Sequence, residues 1–187
     1  MDLLVRPARP GDAAALAEIY APSVLDKPTS FELTAPDAAE MAARLARITT
    51  AWPWLVAEAA GTVVGYCYAG PYAEREAYRW SVTTTTYVRE GWQRRGIGRA
   101  MYAQLFDILR QQGAVMAFAG ITLPNDGSVG LHRAMGFEPV GVYPNAGFKL
   151  GRWWDVAWYG LALRTVARDE APAELLPWPA LAAITPR

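Results

Sequence analysis

Polar and apolar positions change period several times along the chain, and each change marks an element. Leu3 to Arg6 reads as a short strand, and Asp12 can then cap a helix whose apolar side holds Leu16, Ile19 and Tyr20 and which Pro22 stops. A loop through Asp26, Lys27, Pro28, Thr29 and Ser30 leads to Phe31 and Glu32. Thr34 and Asp37, at capping-box spacing, open a second amphipathic helix through Met41, Leu45 and Ile48. Trp54 to Glu58 and Thr62 to Tyr68 are β-prone runs on either side of a turn at Ala59-Ala60-Gly61, the pattern of a hairpin.

The second half is built differently. Tyr78 to Val88, rich in Thr, Val and aromatics, reads as a long strand that Gly91 to Gly98 breaks. A helix starting near Gly98 puts Met101, Leu105, Ile108 and Leu109 on one face and stops at Gly113. Ala114 to Leu123 is continuously apolar, as in a strand buried on both faces. Pro124 to Gly127 turns the chain into a short helix over Ser128 to Met135, and two last strands surround Pro139 to Tyr143 and Trp154 to Leu163. Hairpins followed by strand–helix–strand–helix predict an α/β fold, a mixed sheet with a parallel pair near its centre. Residues 1–163 form one domain in this reading, and 164–187, with four prolines, an extended tail.

Composition narrows the function. The 187 residues suit a single domain, and 18 Lys and Arg against 18 Asp and Glu leave no net field to attract nucleic acid or an anionic membrane. One cysteine, Cys67, and one histidine, His132, supply neither a disulfide nor a structural zinc site, so no metal is expected. The longest uncharged apolar stretch, Gly113 to about Pro124, is short of the ~20 residues of a membrane span, and Asp2 and Asp12 do not resemble an export leader. A cytoplasmic protein is expected.

The local chemistry gathers where the strand ending in Tyr87-Val88 gives way to Gln93-Arg94-Arg95-Gly96-Ile97-Gly98 and then to a helix. Free backbone N–H groups and the helix dipole would converge there on an anion such as a pyrophosphate, with Arg94, Arg95 and Arg99 adding charge. The residues also allow a plain tight turn with solvated arginines. Both a P-loop and a dinucleotide fingerprint fit poorly, because no lysine follows the glycines and Met101 stands where the fingerprint needs its third small residue.

Gln93-x-x-Gly96-x-Gly98, then Asn125-x-x-Ser128 and Gly136-Phe137, resembles the acyl-CoA signature of the GNAT superfamily of N-acetyltransferases. Leu123-Pro124-Asn125-Asp126, Leu131-His132 and Gly147-Phe148-Lys149-x-Gly151-x-Trp153-x-Asp155 resemble its phosphinothricin and methionine sulfoximine N-acetyltransferase subgroup, over about residues 3 to 163. The resemblance implies a splayed central parallel strand pair flanked by helices, with acetyl-CoA wedged into the opening. Tyr87 and Val88 would lie by the acetyl group, Gln93 to Arg99, including Ile97, by the pyrophosphate, and Asn125 and Ser128 by the pantetheine arm.

The implied reaction is direct attack of a neutral amine on the thioester, with no protein nucleophile. His132 stands where the superfamily commonly places a tyrosine that protonates the leaving thiolate, and the subgroup also resembles this chain in having Leu-His there. A merely packed histidine is the competing reading. Relatives carry Glu where this chain has Thr83, so the base is open: water held near Thr83, His132, or Glu32 on the upstream loop. Arg75, Tyr78 and Arg79 match positions near an amino-acid substrate's carboxylate, and Phe31, Trp80, Lys149 and Trp153 would complete the pocket, across a homodimer contact as in relatives. The alternatives are another small-molecule amine such as a polyamine, a protein N-terminus, or a non-catalytic acyl-CoA sensor.

Overall fold

A computed structural model of the chain describes residues 2–184; Met1 and residues 185–187 of the expected tail lie outside the described residues. The strands are Leu3–Pro7 (β1), Trp54–Ala59 (β2), Thr62–Pro71 (β3), Ser81–Val88 (β4), Met116–Thr122 (β5), Glu138–Lys149 (β6) and Arg152–Ala162 (β7). The helices are Ala13–Leu25 (α1), Ala38–Ile48 (α2), Ile97–Gln112 (α3), Asp126–Ala134 (α4) and Trp178–Ile184 (α5). One sheet runs in the order β1-β2-β3-β4-β5-β7-β6.

Strand alternation divides the apolar residues between two faces. Leu55, Ala57 and Cys67 join Met101, Tyr102, Leu105 and Phe106 of α3 in one core. Trp54, Val56 and Tyr66 join Leu16, Ile19 and Tyr20 of α1 and Met41 and Leu45 of α2 in the other. The sheet is therefore covered on both faces, with α1 and α2 opposite α3. None of the described helices is long and apolar enough to cross a membrane.

The parallel pair is the feature that makes a site. β4 and β5 pair only at Ser81↔Met116, Val82↔Ala117 and Thr83↔Phe118, although the strands continue to Val88 and Thr122. Beyond Thr83, β4 stays with β3 as far as Gly65↔Val88, and β5 stays with β7 as far as Thr122↔Val156. Each strand follows its outer neighbour, and the two diverge.

Several boundaries differ from the expected ones. Pro22 lies inside α1, which runs on to Leu25; an interior proline removes one backbone hydrogen bond without always ending a helix. Asp37 alone caps α2, accepting from the Glu40 N–H at 2.8 Å, and Thr34 stays outside the helix. Glu76–Tyr78 form a 3-10 turn, so β4 begins at Ser81 and the expected strand loses its first three residues. α3 starts at Ile97, after Gly96 in the left-handed region. β6 is longer than expected because its register shifts between Tyr143 and Gly147, where the Asn145 N–H donates to the Asp155 carboxylate at 2.8 Å.

The tail also carries structure. It is anchored where Gln112 Nε2 donates to the carbonyls of Ala51 (2.9 Å) and Leu176 (2.8 Å), and α5 follows with Leu181 buried. Proline spacing concealed this helix, since short helices depend on docking more than on propensity.

Candidate active site

Divergence of β4 from β5 opens a cavity of about 350 Å³ that passes between the two faces of the sheet. Thr84 to Val88 and Ala119 to Thr122 form its sides. Tyr102, Asn125, Ser128 and His132 close it on the α3 and α4 face, and Ser23, Lys27 and Thr29 on the α1 face. A second hollow of about 350 Å³, bounded by the 92–99 loop and by Gly127 and Leu131, shares Thr86, Val88, Gln93, Asn125 and Ser128 with the first. The two hollows adjoin along these shared residues.

The outer hollow is built on the start of α3. No side chain caps this helix, so its first-turn N–H groups have no partner within it, and the dipole adds partial positive charge. Arg94 (φ 60°) and Gly96 (φ 79°) both take left-handed backbone, which folds the loop around the helix end. A Cβ on Gly96 would meet nothing within 4 Å, whereas one on Gly98 would come within 2.9 Å of Leu131 Cδ2. Gly96 thus keeps the approach to the N–H groups open, and Gly98 allows α3 and α4 to close together. Arg95 lies over the Trp92 ring, Arg99 donates to the Ala134 carbonyl at 3.4 Å, and Gln93 donates to the Val88 carbonyl at 3.2 Å. This donor set fits the pyrophosphate of an acyl-CoA.

The inner cavity holds a buried polar chain. His132, only 3% exposed, donates from Nδ1 to the Ser128 carbonyl at 2.7 Å, because a carbonyl can only accept. Nε2 is therefore the lone-pair nitrogen and accepts from the Tyr102 hydroxyl at 3.1 Å. Burial lowers the His132 pKa below its ordinary 6.5, favouring neutral imidazole, and raises that of Tyr102, favouring the phenol. Tyr102 also meets the Thr84 hydroxyl. A neutral base bonded to a phenol on a cavity wall can hold or pass a proton.

Residues 5–158 match the acetyltransferase (GNAT) domain family. The chain belongs to the GNAT acetyltransferase family. It is 39% identical over 155 residues to the phosphinothricin N-acetyltransferase of Streptomyces viridochromogenes, covering 83% of this chain and 85% of that protein. It is 32% identical over 170 residues to the L-methionine sulfoximine/L-methionine sulfone acetyltransferase of Salmonella typhimurium, covering 90% and 99%. A solved phosphinothricin acetyltransferase from Sinorhizobium meliloti, in complex with acetyl-CoA, superposes with a TM-score of 0.88 at 35% identity, covering 95% of this chain and 97% of that one.

Within this GNAT fold, Tyr87, Val88, Gln93, Asn125, Ser128 and His132 line the inner cavity, and Arg94, Gly96, Ile97, Gly98 and Arg99, with Gln93 again, line the outer hollow. Thr83 and Glu32 do not line the cavity. Thr83 sits at the last paired position, its hydroxyl 3.4 Å from the Pro71 carbonyl. Glu32 accepts from both Arg44 Nη atoms (2.7 and 3.0 Å) and from the Tyr20 hydroxyl (2.9 Å), and the Arg44 bonds hold its pKa below the usual carboxylate range.

The expected substrate residues are dispersed. Arg79 pairs with Glu76 and Glu174 and covers the Trp80 ring, whose Nε1 donates to the Ala173 carbonyl at 2.8 Å; Arg75 and Tyr78 are exposed beside them. Trp153 packs edge-on against Phe148 on the exposed hairpin. Lys149, 4% exposed, spends its three donors on the carbonyls of Ser23 (3.2 Å), Lys27 (2.8 Å) and Ser30 (2.6 Å). Phe31 packs so closely on Gly147 that a Cβ there would enter its ring. Lys149 and Phe31 thus fasten the α1 loop to β6 and do not line the cavity.

Sequence reasoning passed over Tyr102, Lys27 and Thr84 to Thr86. The signal was present in the threonines, since a run of hydroxyls in a central strand leaves polar groups that a buried sheet face cannot solvate.

Proposed function

We propose that this GNAT enzyme moves the acetyl group of acetyl-CoA to the primary amine of a small amino-acid analogue of the phosphinothricin, methionine sulfoximine or methionine sulfone type. The observation that carries this reading is the cavity through the splayed sheet. Acetyl-CoA enters on the α3 and α4 face with its pyrophosphate at the start of α3, and the amine enters from the α1 face. The named relatives supply the substrate class.

Beyond Thr83, backbone groups of β4 that would face β5 have no strand partner there. An N–H among them, near Val88, donates to the thioester oxygen as negative charge develops. The C–N bond forms as the C–S bond breaks. The proton lost by nitrogen ends on sulfur, with His132 Nε2 holding it between the two steps through the Tyr102 hydroxyl. Glu32 stays ionised beside Arg44 and steadies the loop. Incubation with acetyl-CoA and phosphinothricin, followed by mass spectrometry, tests the reaction: one acetyl group on the amine supports it, and unmodified phosphinothricin contradicts it.

The depressed His132 pKa has a consequence for stability. An unfolded imidazole titrates near 6.5 and the folded one lower, so as pH falls below 6.5 the unfolded chain binds the proton first and stability drops. The chain has one histidine, so this interval isolates it from the carboxylates, which titrate lower. Urea unfolding at pH 7 and pH 5.5 should show lower stability at the acid value for the wild type and a flat response for His132→Gln.

A homodimer completes the proposal. β6 is a sheet edge, and Val140, Val142, Tyr143, Phe148 and Trp153 on and beside it are exposed. An edge strand with that much apolar surface suits a second copy of the chain. Light scattering should give twice the chain mass for the wild type and the single chain mass for Val142→Lys/Phe148→Glu; a monomeric wild type contradicts the dimer.

A further inference from the structure

We infer that Lys27 is the cation that receives the carboxylate of the amine substrate, a role that rests on the amino-acid-analogue reading above. Of the described residues lining the inner cavity, Lys27 is the only one with a side chain formally charged at neutral pH. The arginines expected to bind a carboxylate are elsewhere: Arg79 is committed to two glutamates and neither Arg75 nor Arg79 lines the cavity. A zwitterionic amine placed in this cavity therefore meets one positive group, and that group is on the α1 face, opposite His132.

The anchor of Lys27 is fixed although its tip is free to exchange. The buried Lys149 ammonium binds the Lys27 carbonyl together with those of Ser23 and Ser30, which pins the backbone on both sides. The Lys27 ammonium itself pairs with Glu90, at the head of the pyrophosphate loop. That pair is open to water, with the two side chains 43% and 62% exposed, so it contributes little stability and a substrate carboxylate can take the place of Glu90. Recognition is then an exchange of one carboxylate for another on a lysine whose backbone carbonyl is held by Lys149. It would favour amines carrying an anionic group a few bonds from the nitrogen and disfavour polyamines, which bring only positive charge.

Initial rates with L-methionine sulfone and with its carboxamide, which is neutral at that end, test the assignment. Lys27→Met should raise the KM for L-methionine sulfone about tenfold or more, the loss of one charge-assisted hydrogen bond, and leave the KM for the carboxamide and for acetyl-CoA within about twofold. Lys27→Arg should recover most of the difference, and Glu90→Gln should lower the sulfone KM by freeing the ammonium. An unchanged sulfone KM in Lys27→Met, or a rise in Arg75→Ala instead, overturns the role of Lys27. A wild type that acetylates phosphinothricin alone, with a phosphinothricin KM unchanged in Lys27→Met, overturns the role of Lys27 as well. A wild type inactive on all three overturns the underlying reading instead.

Discussion

Replacing Gly96 with Asp should weaken acetyl-CoA binding by about 100-fold or more, whereas Gly96→Asn should bind within a few-fold of the wild type. Gly96 precedes α3 with φ 79°, and a Cβ at this position meets no protein atom within 4 Å, so crowding within the protein is not the cause of the loss; Gly96→Asn controls for the bulk a side chain brings to the ligand's approach. Both replacements tolerate left-handed backbone better than other side chains, and they have nearly the same shape. What separates them is a carboxylate beside the phosphate oxygens, among N–H groups that are otherwise free. Two like charges at about 4 Å repel by about 4 kcal/mol at the effective dielectric of a protein surface, which is more than enough for the expected loss. Titration calorimetry with acetyl-CoA checks both variants. Equal affinity in Gly96→Asp and the wild type would place the pyrophosphate elsewhere.

The second large effect concerns proton transfer. His132→Ala should lower kcat by about 10²- to 10⁴-fold at saturating substrates, the usual range for an acid–base group. This substitution also leaves the buried Tyr102 hydroxyl without its acceptor, so some stability is lost with it. Tyr102→Phe keeps the ring packed on Phe106 and the histidine in place, and removes only the hydroxyl that His132 Nε2 accepts from. A fall in kcat of about tenfold or more in Tyr102→Phe, measured where circular dichroism shows the variant fully folded, assigns the pair to the reaction. Unchanged kcat in both variants would make the histidine a packing residue.

The cofactor half of the site could be read from the sequence because it is local. A strand end, a loop with Gly96 and Gly98, and a helix start follow one another within about a dozen residues, and backbone geometry does most of the work. Asn125 could be read for the same reason, since an N-cap reports itself within three residues: its side chain accepts from the Ser128 N–H at 3.1 Å. The amine half depends on contacts between distant parts of the chain. Lys149 reaches carbonyls more than a hundred positions away, and Trp80 Nε1 donates to the carbonyl of Ala173 in the tail, so neither environment has a local signature. A conspicuous cation in a motif proved to be a clamp on backbone, and an unremarkable loop lysine stands on the cavity wall. The boundaries that shifted, at Pro22 and in the tail helix α5, are places where tertiary packing overrode a proline signal.

The measurement that tests the central claim most directly is the rate of thiol release from acetyl-CoA by the purified chain with phosphinothricin, methionine sulfoximine, methionine sulfone, spermidine and a short peptide. Release well above hydrolysis with the first three, and at background with spermidine and the peptide, is the expected result. Acetyl-CoA binding with no release on any of the five, or release confined to spermidine or the peptide, would contradict the account.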